Sequence, residues 1–134
     1  MNERETQGFS RIKPFSIGRI GADVERYARL NGIQLGSNTI MFSYKFVAHA
    51  LRETKGDKRV SKYDIVNFPI NKNKMDKYYD GECFIFTDYK VKFIVHPNYE
   101  LKMANGKRFK ANIITAGKVT DATEFELPKY DMIN

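Results

Sequence analysis

The chain has very few of the residues that make covalent or metal staples. Of its 134 residues, one is cysteine (Cys83) and two are histidine (His49 and His96). A lone cysteine excludes an intrachain disulfide and a cysteine metal cluster. It suits a reducing compartment, so a cytoplasmic setting is expected. Tryptophan is absent. No apolar run approaches the length that crosses a bilayer, so no membrane is expected among the partners. The first residues, M-N-E-R-E-T-Q-G, are polar and hold no apolar targeting segment. There is no internal repeat and no low-complexity tract. No Walker loop, dinucleotide fingerprint, G-x-S-x-G elbow or H-E-x-x-H pair is present, and G-R-I-G (Gly18 to Gly21) is too short to replace one. Neither a metal nor a cofactor is therefore expected.

What the chain does have is positive charge and enough apolar residues for a core. The formal net charge is +7, the isoelectric point is near 9.5, and 42% of residues are hydrophobic. A single domain of this length buries a real core. A basic balance favours a polyanionic partner, nucleic acid first; the plainer reading is a soluble protein that happens to be basic.

Periodicity places the elements. Residues 1–14 are polar and read as a flexible N-terminal segment, followed by one domain over 15–134. F-S-I-G-R-I, from Phe15, reads as a short strand. A helix follows from about Ala22 to Leu30, with Val24, Tyr27 and Ala28 on one side, and Asn31-Gly32 ends it. T-I-M-F (Thr39 to Phe42) is a short apolar run. S-Y-K-F-V-A-H-A-L-R-E-T-K-G (Ser43 to Gly56) reads as an amphipathic helix. Its apolar face is read as Phe46, Val47, Ala50 and Leu51, and its polar side as Lys45, His49, Arg52 and Glu53. A third helix is expected from Ser61, where S-K-Y-D resembles a capping box, and Pro69 should stop it. The polar segment Asn71 to Gly81 reads as the boundary between a helical half and a sheet half.

Beyond Gly81 the period becomes two. E-C-F-I-F-T-D is a strand and D-Y-K a turn. K-V-K-F-I-V-H alternates, with Val91, Phe93 and Val95 opposite Lys90, Lys92 and His96. Pro97-Asn98 reads as the next turn. Y-E-L-K-M-A, Asn105-Gly106 and K-R-F-K-A-N-I-I-T read as a hairpin. The expectation is an α+β domain: N-terminal helices followed by a four-stranded antiparallel meander. The outer sheet face would then carry Lys90, Lys92, Lys102, Arg108 and Lys110, with His96 at its edge. Such a face is a path for a phosphate backbone, or only a means of keeping an exposed sheet soluble.

Some side chains suit chemistry. His49 sits on the polar side of its helix with Arg52 one turn on, an acid–base group beside an anion clamp. His96 is a second acid–base candidate or a plain turn residue. Cys83 lies in an apolar strand and reads as packing. Thr115 and Lys118 flank a small Ala-Gly step in I-T-A-G-K-V, where they would contact a phosphate or simply border an exit turn. Phe125, Leu127 and Tyr130, in the acidic tail, would fold back on the core or dock a partner.

The strand with I-G-R-I, the H-A-L-R helix, the short S-K-Y-D helix and the meander ending in I-T-A-G-K-V together form a recognisable order. It resembles the phage- and mobile-element-associated nuclease-like domains grouped with the barnase, EndoU, colicin and RelE ribonuclease superfamily. The resemblance spans roughly Phe15 to Tyr130. It implies a metal-independent RNA endonuclease, a phage effector or toxin, in which the ribose 2′-hydroxyl attacks the adjacent phosphorus. It makes His49 the acid or base, Arg52 the phosphate clamp, and Thr115 and Lys118 the phosphate or transition-state contacts. RNA, tRNA included, is the implied substrate. Two other readings stand beside it. One is a non-catalytic nucleic-acid-binding module using Lys90, Lys92, His96, Arg108 and Lys110. The other is a phage accessory protein that inhibits a host nucleic-acid enzyme, with a host or phage protein as partner.

Overall fold

The computed structural model describes residues 15–42, 62–102 and 105–134. The expectations for the N-terminal segment and for the His49 helix lie outside the described residues. Within them, the chain forms β1 (Phe15–Arg19), α1 (Ala22–Leu30), β2 (Thr39–Phe42), α2 (Lys62–Val66) and α3 (Phe68–Asn71). It continues through β3 (Asp76–Tyr79), β4 (Phe84–Thr87), β5 (Val91–Lys102), β6 (Arg108–Lys118) and β7 (Asp131–Ile133). Short 3₁₀ turns precede β3 and β7, at Lys72–Lys74 and Ala122–Glu126.

All seven strands join one sheet in the order β1-β2-β6-β5-β4-β3-β7. Neighbours run antiparallel except β2 and β6, which are parallel. This overturns the expected helices followed by a four-stranded meander. Among the described residues there is no helical half: β2 pairs onto β6 and β1 onto β2, so strands early in the chain enlarge the late sheet. The physical reason is that a four-residue apolar run such as Thr39–Phe42 can end up in a strand far from its sequence neighbours. Ile40 and Phe42, alternating and buried, complete the core beside Ile114.

α1 forms where the sequence predicts it. Val24 and Ala28, one turn apart, are buried, and Asp23 and Glu25 occupy the first turn, where acids suit the helix dipole. Its end is a Schellman motif: Gly32 takes φ +68, and the Ile33 N–H reaches back to the Ala28 carbonyl at 2.8 Å. The helix expected to stop at Pro69 is two short helices instead. Pro69 lies in the first turn of α3, where its missing N–H is not needed, and Phe68 beside it is fully buried.

The expected boundary segment contains β3. Its Lys77 occupies a helix-facing position, 12% exposed, and reaches Asp23 at 2.5 Å. That partner is what lets a charged residue serve a core-facing strand position. One sheet face packs on the helices through Val24, Ala28, Ile65, Phe68, Phe84, Phe86, Phe93, Val95 and Ile114. The other is covered by the C-terminal segment, which folds back and does not stand free. There Phe125 stacks on Tyr78 with ring centroids 5.1 Å apart. Burying Phe125 contributes about 2 kcal/mol. Leu127 stays half exposed, and the following residues pair β7 onto β3.

The largest departure lies within β5. Pro97-Asn98 is a bulge, not a turn, so two expected strands are one strand of 12 residues. Between His96 and Tyr99 the register with β6 gains a residue. Asn98 has φ 55, and its N–H turns to the side chain of Asn112 at 3.1 Å. Asn112 is fully buried. Its Oδ1 also accepts from the Gly36 N–H at 3.0 Å, and its Nδ2 donates to the carbonyls of Ser37 and Thr39 at 2.7 and 2.9 Å. One amide thus ties the bulge to the α1–β2 loop with its donors and acceptor occupied. A Cβ at Gly36 would lie 2.7 Å from the Cα of Ala111, so only glycine allows the loop this close.

Candidate nucleic-acid interface

The bulge decides where the charges go. Directly paired residues share a face, and an extra residue on one strand inverts the alternation beyond it. Before the bulge, Val95 pairs with Ile114 on the helix-packed face, and Lys92 and His96 point to the opposite one. After it, Lys102 pairs with Arg108 and Glu100 with Lys110, on the same side as Asn112 and Ile114. Tyr99, Leu101 and Phe109 take the other side. The expected single basic face is therefore split. Lys92 and His96 lie on one face of the sheet, and Lys102, Arg108 and Lys110 on the other. Lys90 is exposed just before β5, roughly 30 Å along the strand from the last of these.

The two groups differ in surroundings. Lys92 is 23% exposed and donates to both carboxylate oxygens of Glu124 at 3.1 Å. Glu124 also accepts from the Tyr130 hydroxyl at 3.2 Å, whose pKa burial and this carboxylate push up to about 12. Lys92 is thus neutralised by the tail that covers its face. Among the described residues, no such segment covers the distal part of β5 and β6. β4 pairs with β5 only over 92–95 and β2 with β6 only over 112–114, so residues 99–102 and 108–110 form a two-stranded ribbon paired with itself. The ribbon turns at Asn105-Gly106, where the Asn105 side chain accepts from the Lys107 N–H at 3.0 Å. Lys102, Lys107, Arg108 and Lys110 are all exposed. Against them stands one carboxylate, Glu100, 3.7 Å from Arg108 in an open pair. Such a pair is worth well under about 1 kcal/mol. Lys102, Lys107 and Lys110 make no ion pair among the described residues.

The remaining expected site residues are not brought together. His49 and Arg52 lie outside the described residues. Thr115 pairs with Ile94 and Lys118 with Val91, so their side chains leave β6 on opposite faces and do not converge on one phosphate.

Two residues judged separately from the sequence do meet. Cys83 Sγ and His96 Nδ1 are 3.2 Å apart at the root of the ribbon. The signal for this contact was in the sequence: pairing outward from the D-Y-K turn sets Phe84 against Val95 and brings Cys83 level with His96. Burial, with Asp80 and Glu82 adding to it, pushes the thiol up to about 11. Burial also lowers the His96 pKa, against the pull of the same two carboxylates. The sulfur is therefore a neutral thiol at neutral pH, not the thiolate a nucleophile requires. The contact packs the ribbon root.

Lys107 and Glu100 were missed as members of a charged surface, because the parity change that groups them comes from the bulge. Among the described residues no three His, Cys, Asp or Glu side chains gather as a metal site. No helix among them is long and apolar enough to cross a membrane. No family model, no curated protein and no solved structure matches the chain.

Proposed function

We propose that this protein binds nucleic acid through the β5–β6 ribbon, without cleaving it. The observation behind this reading is the ribbon's charge: Lys102, Lys107, Arg108 and Lys110, exposed and, among the described residues, opposed only by Glu100. Cations on a protruding element release counterions when they meet phosphates, which makes affinity fall with salt. The net charge of +7 adds long-range attraction. The ribonuclease reading draws on His49 and Arg52, outside the described residues, and on Thr115 and Lys118, which face apart. Binding is the better supported of the two.

The test is the salt dependence of affinity for a labelled DNA duplex and a labelled RNA. Four phosphate contacts give a slope of log affinity against log salt of about −3 to −4. Arg108→Gln with Lys110→Gln should reduce that slope by about 1 to 2. Lys74→Gln, exposed in the 3₁₀ turn before β3, should leave it alone. Salt-independent binding, or equal loss from both variants, would overturn the assignment. RNA shortened in the presence of a chelator by the wild type would reinstate the nuclease.

A further inference from the structure

We propose that the target is B-form duplex DNA and that the ribbon enters its major groove with Arg108 toward the base edges. The inference rests on the nucleic-acid reading above and narrows it to one kind of nucleic acid.

The geometry separates three targets. The ribbon is two strands wide, about 5 Å between backbones, and its paired part is about 13 Å long. A two-stranded ribbon with its side chains fits the B-DNA major groove, about 12 Å wide and 8.5 Å deep. The A-form RNA major groove is deep and too narrow for this. Single strands are gripped by aromatic side chains set among cations, so that bases stack while phosphates are neutralised. Here the two classes of side chain are on opposite sides of the ribbon. Tyr99 and Phe109 project from one side, and Lys102, Arg108 and Lys110 from the other. A strand lying on the cationic side would find no ring of the described ribbon residues to stack on. One lying on the aromatic side would find its phosphates unneutralised.

Position on the ribbon assigns the roles. Arg108 and Lys102 form the cross-strand pair nearest the tip on the cationic face. An arginine there presents a planar fork that matches the O6 and N7 acceptors of guanine, which a lysine matches less well. Glu100 lies 3.7 Å from the guanidinium and directly opposite Lys110. Lys102, Lys107 and Lys110 surround Arg108 and meet the phosphates that flank the groove. Four hydrogen bonds of Asn112 hold the root of the ribbon to the α1–β2 loop and the bulge.

The experiment compares fluorescein-labelled 20-base-pair probes of one mixed sequence: the DNA duplex, the RNA duplex, each single strand, and the DNA duplex methylated at guanine N7. The account expects the DNA duplex to bind at least tenfold more tightly than the RNA duplex or either strand. It expects N7 methylation to weaken binding several-fold, since the methyl group fills the major-groove edge. Arg108→Lys should keep the salt slope and lose the sensitivity to methylation. Arg108→Gln, checked as folded by circular dichroism, should lose that sensitivity and change the slope less than Lys110→Gln, which should reduce it by about 1. Equal affinity for DNA and RNA, tighter binding of a single strand, or a duplex preference indifferent to methylation would overturn groove entry. In those cases nucleic-acid binding itself would stand. No affinity for any probe would overturn both.

Discussion

In the body of the sheet, Lys77 is almost buried and held by Asp23, Lys92 is held by Glu124, and Lys72 donates to the Arg19 carbonyl. On the ribbon, Lys102, Lys107 and Lys110 have no acidic partner among the described residues, and Arg108 has a loose one. The body covers both sheet faces, one with helices and one with the C-terminal segment. Among the described residues, the strands of the ribbon pair only with each other. Charge in the body is thus part of the fold, costly to expose and costly to orphan. Charge on the ribbon contributes little to stability and remains available to a partner. Substitutions in the two regions should therefore separate stability from binding.

The largest effect is expected at the joint between them. Asn112→Ala removes four hydrogen bonds and leaves the Gly36 and Asn98 N–H groups and the Ser37 and Thr39 carbonyls short of partners. A loss of about 3 to 4 kcal/mol is expected in urea denaturation. Next comes the body pair. Asp23→Ala strands a nearly buried ammonium and should cost about 2 kcal/mol, whereas Lys77→Met should be close to neutral, because Asp23 keeps the Val24 N–H at 2.9 Å and partial access to water. Equal costs for the two would mean that Lys77 is not a body lysine in this sense. Duplex affinity should be unchanged by either.

A smaller effect comes from His96, at the ribbon root. Its native pKa lies below its ordinary 6.5, chiefly through burial. The unfolded chain takes up a proton first as pH falls, so this group's stability is present above about 6.5 and is lost below it. Thermal midpoints at pH 7.5 and 5.5 should show a steeper acid loss for the wild type than for His96→Gln. The smallest effect on stability, within about 0.5 kcal/mol, belongs to Glu100→Gln. Its effect on binding has the opposite sign to every other ribbon change, because it removes the carboxylate facing the phosphates. Affinity should rise a few-fold at low salt, and a fall would show that Glu100 helps to present Arg108 more than it repels.

The local order of residues carried much of this fold. Alternation found β6 and the two halves of β5, Asn105-Gly106 placed the hairpin, and Asn31-Gly32 placed the end of α1. What could not be read locally was pairing at a distance. Nothing in T-I-M-F says that it will lie parallel to Asn112–Ile114, or that D-M-I at the end of the chain will pair with Lys77–Tyr79. Pro97-Asn98 has the chemistry of a turn, and only the buried amide of Asn112, across the ladder, makes it a bulge. That one misreading placed Lys92 and Lys110 on a common face. Lys102, Arg108 and Lys110 are exposed, but on the side opposite the one expected, and Lys92 is covered by the C-terminal segment. Their grouping into a ribbon face and a neutralised body face required the register.

The most direct test is a map of the contact by backbone amide chemical shifts, recorded as a 20-base-pair DNA duplex is titrated into the labelled protein. The account predicts that the largest changes centre on Lys102, Lys107, Arg108 and Lys110, with little change at Lys90, Lys92 or Glu124. Changes centred on Lys90 and Lys92, or spread over the C-terminal segment with a silent ribbon, would contradict it.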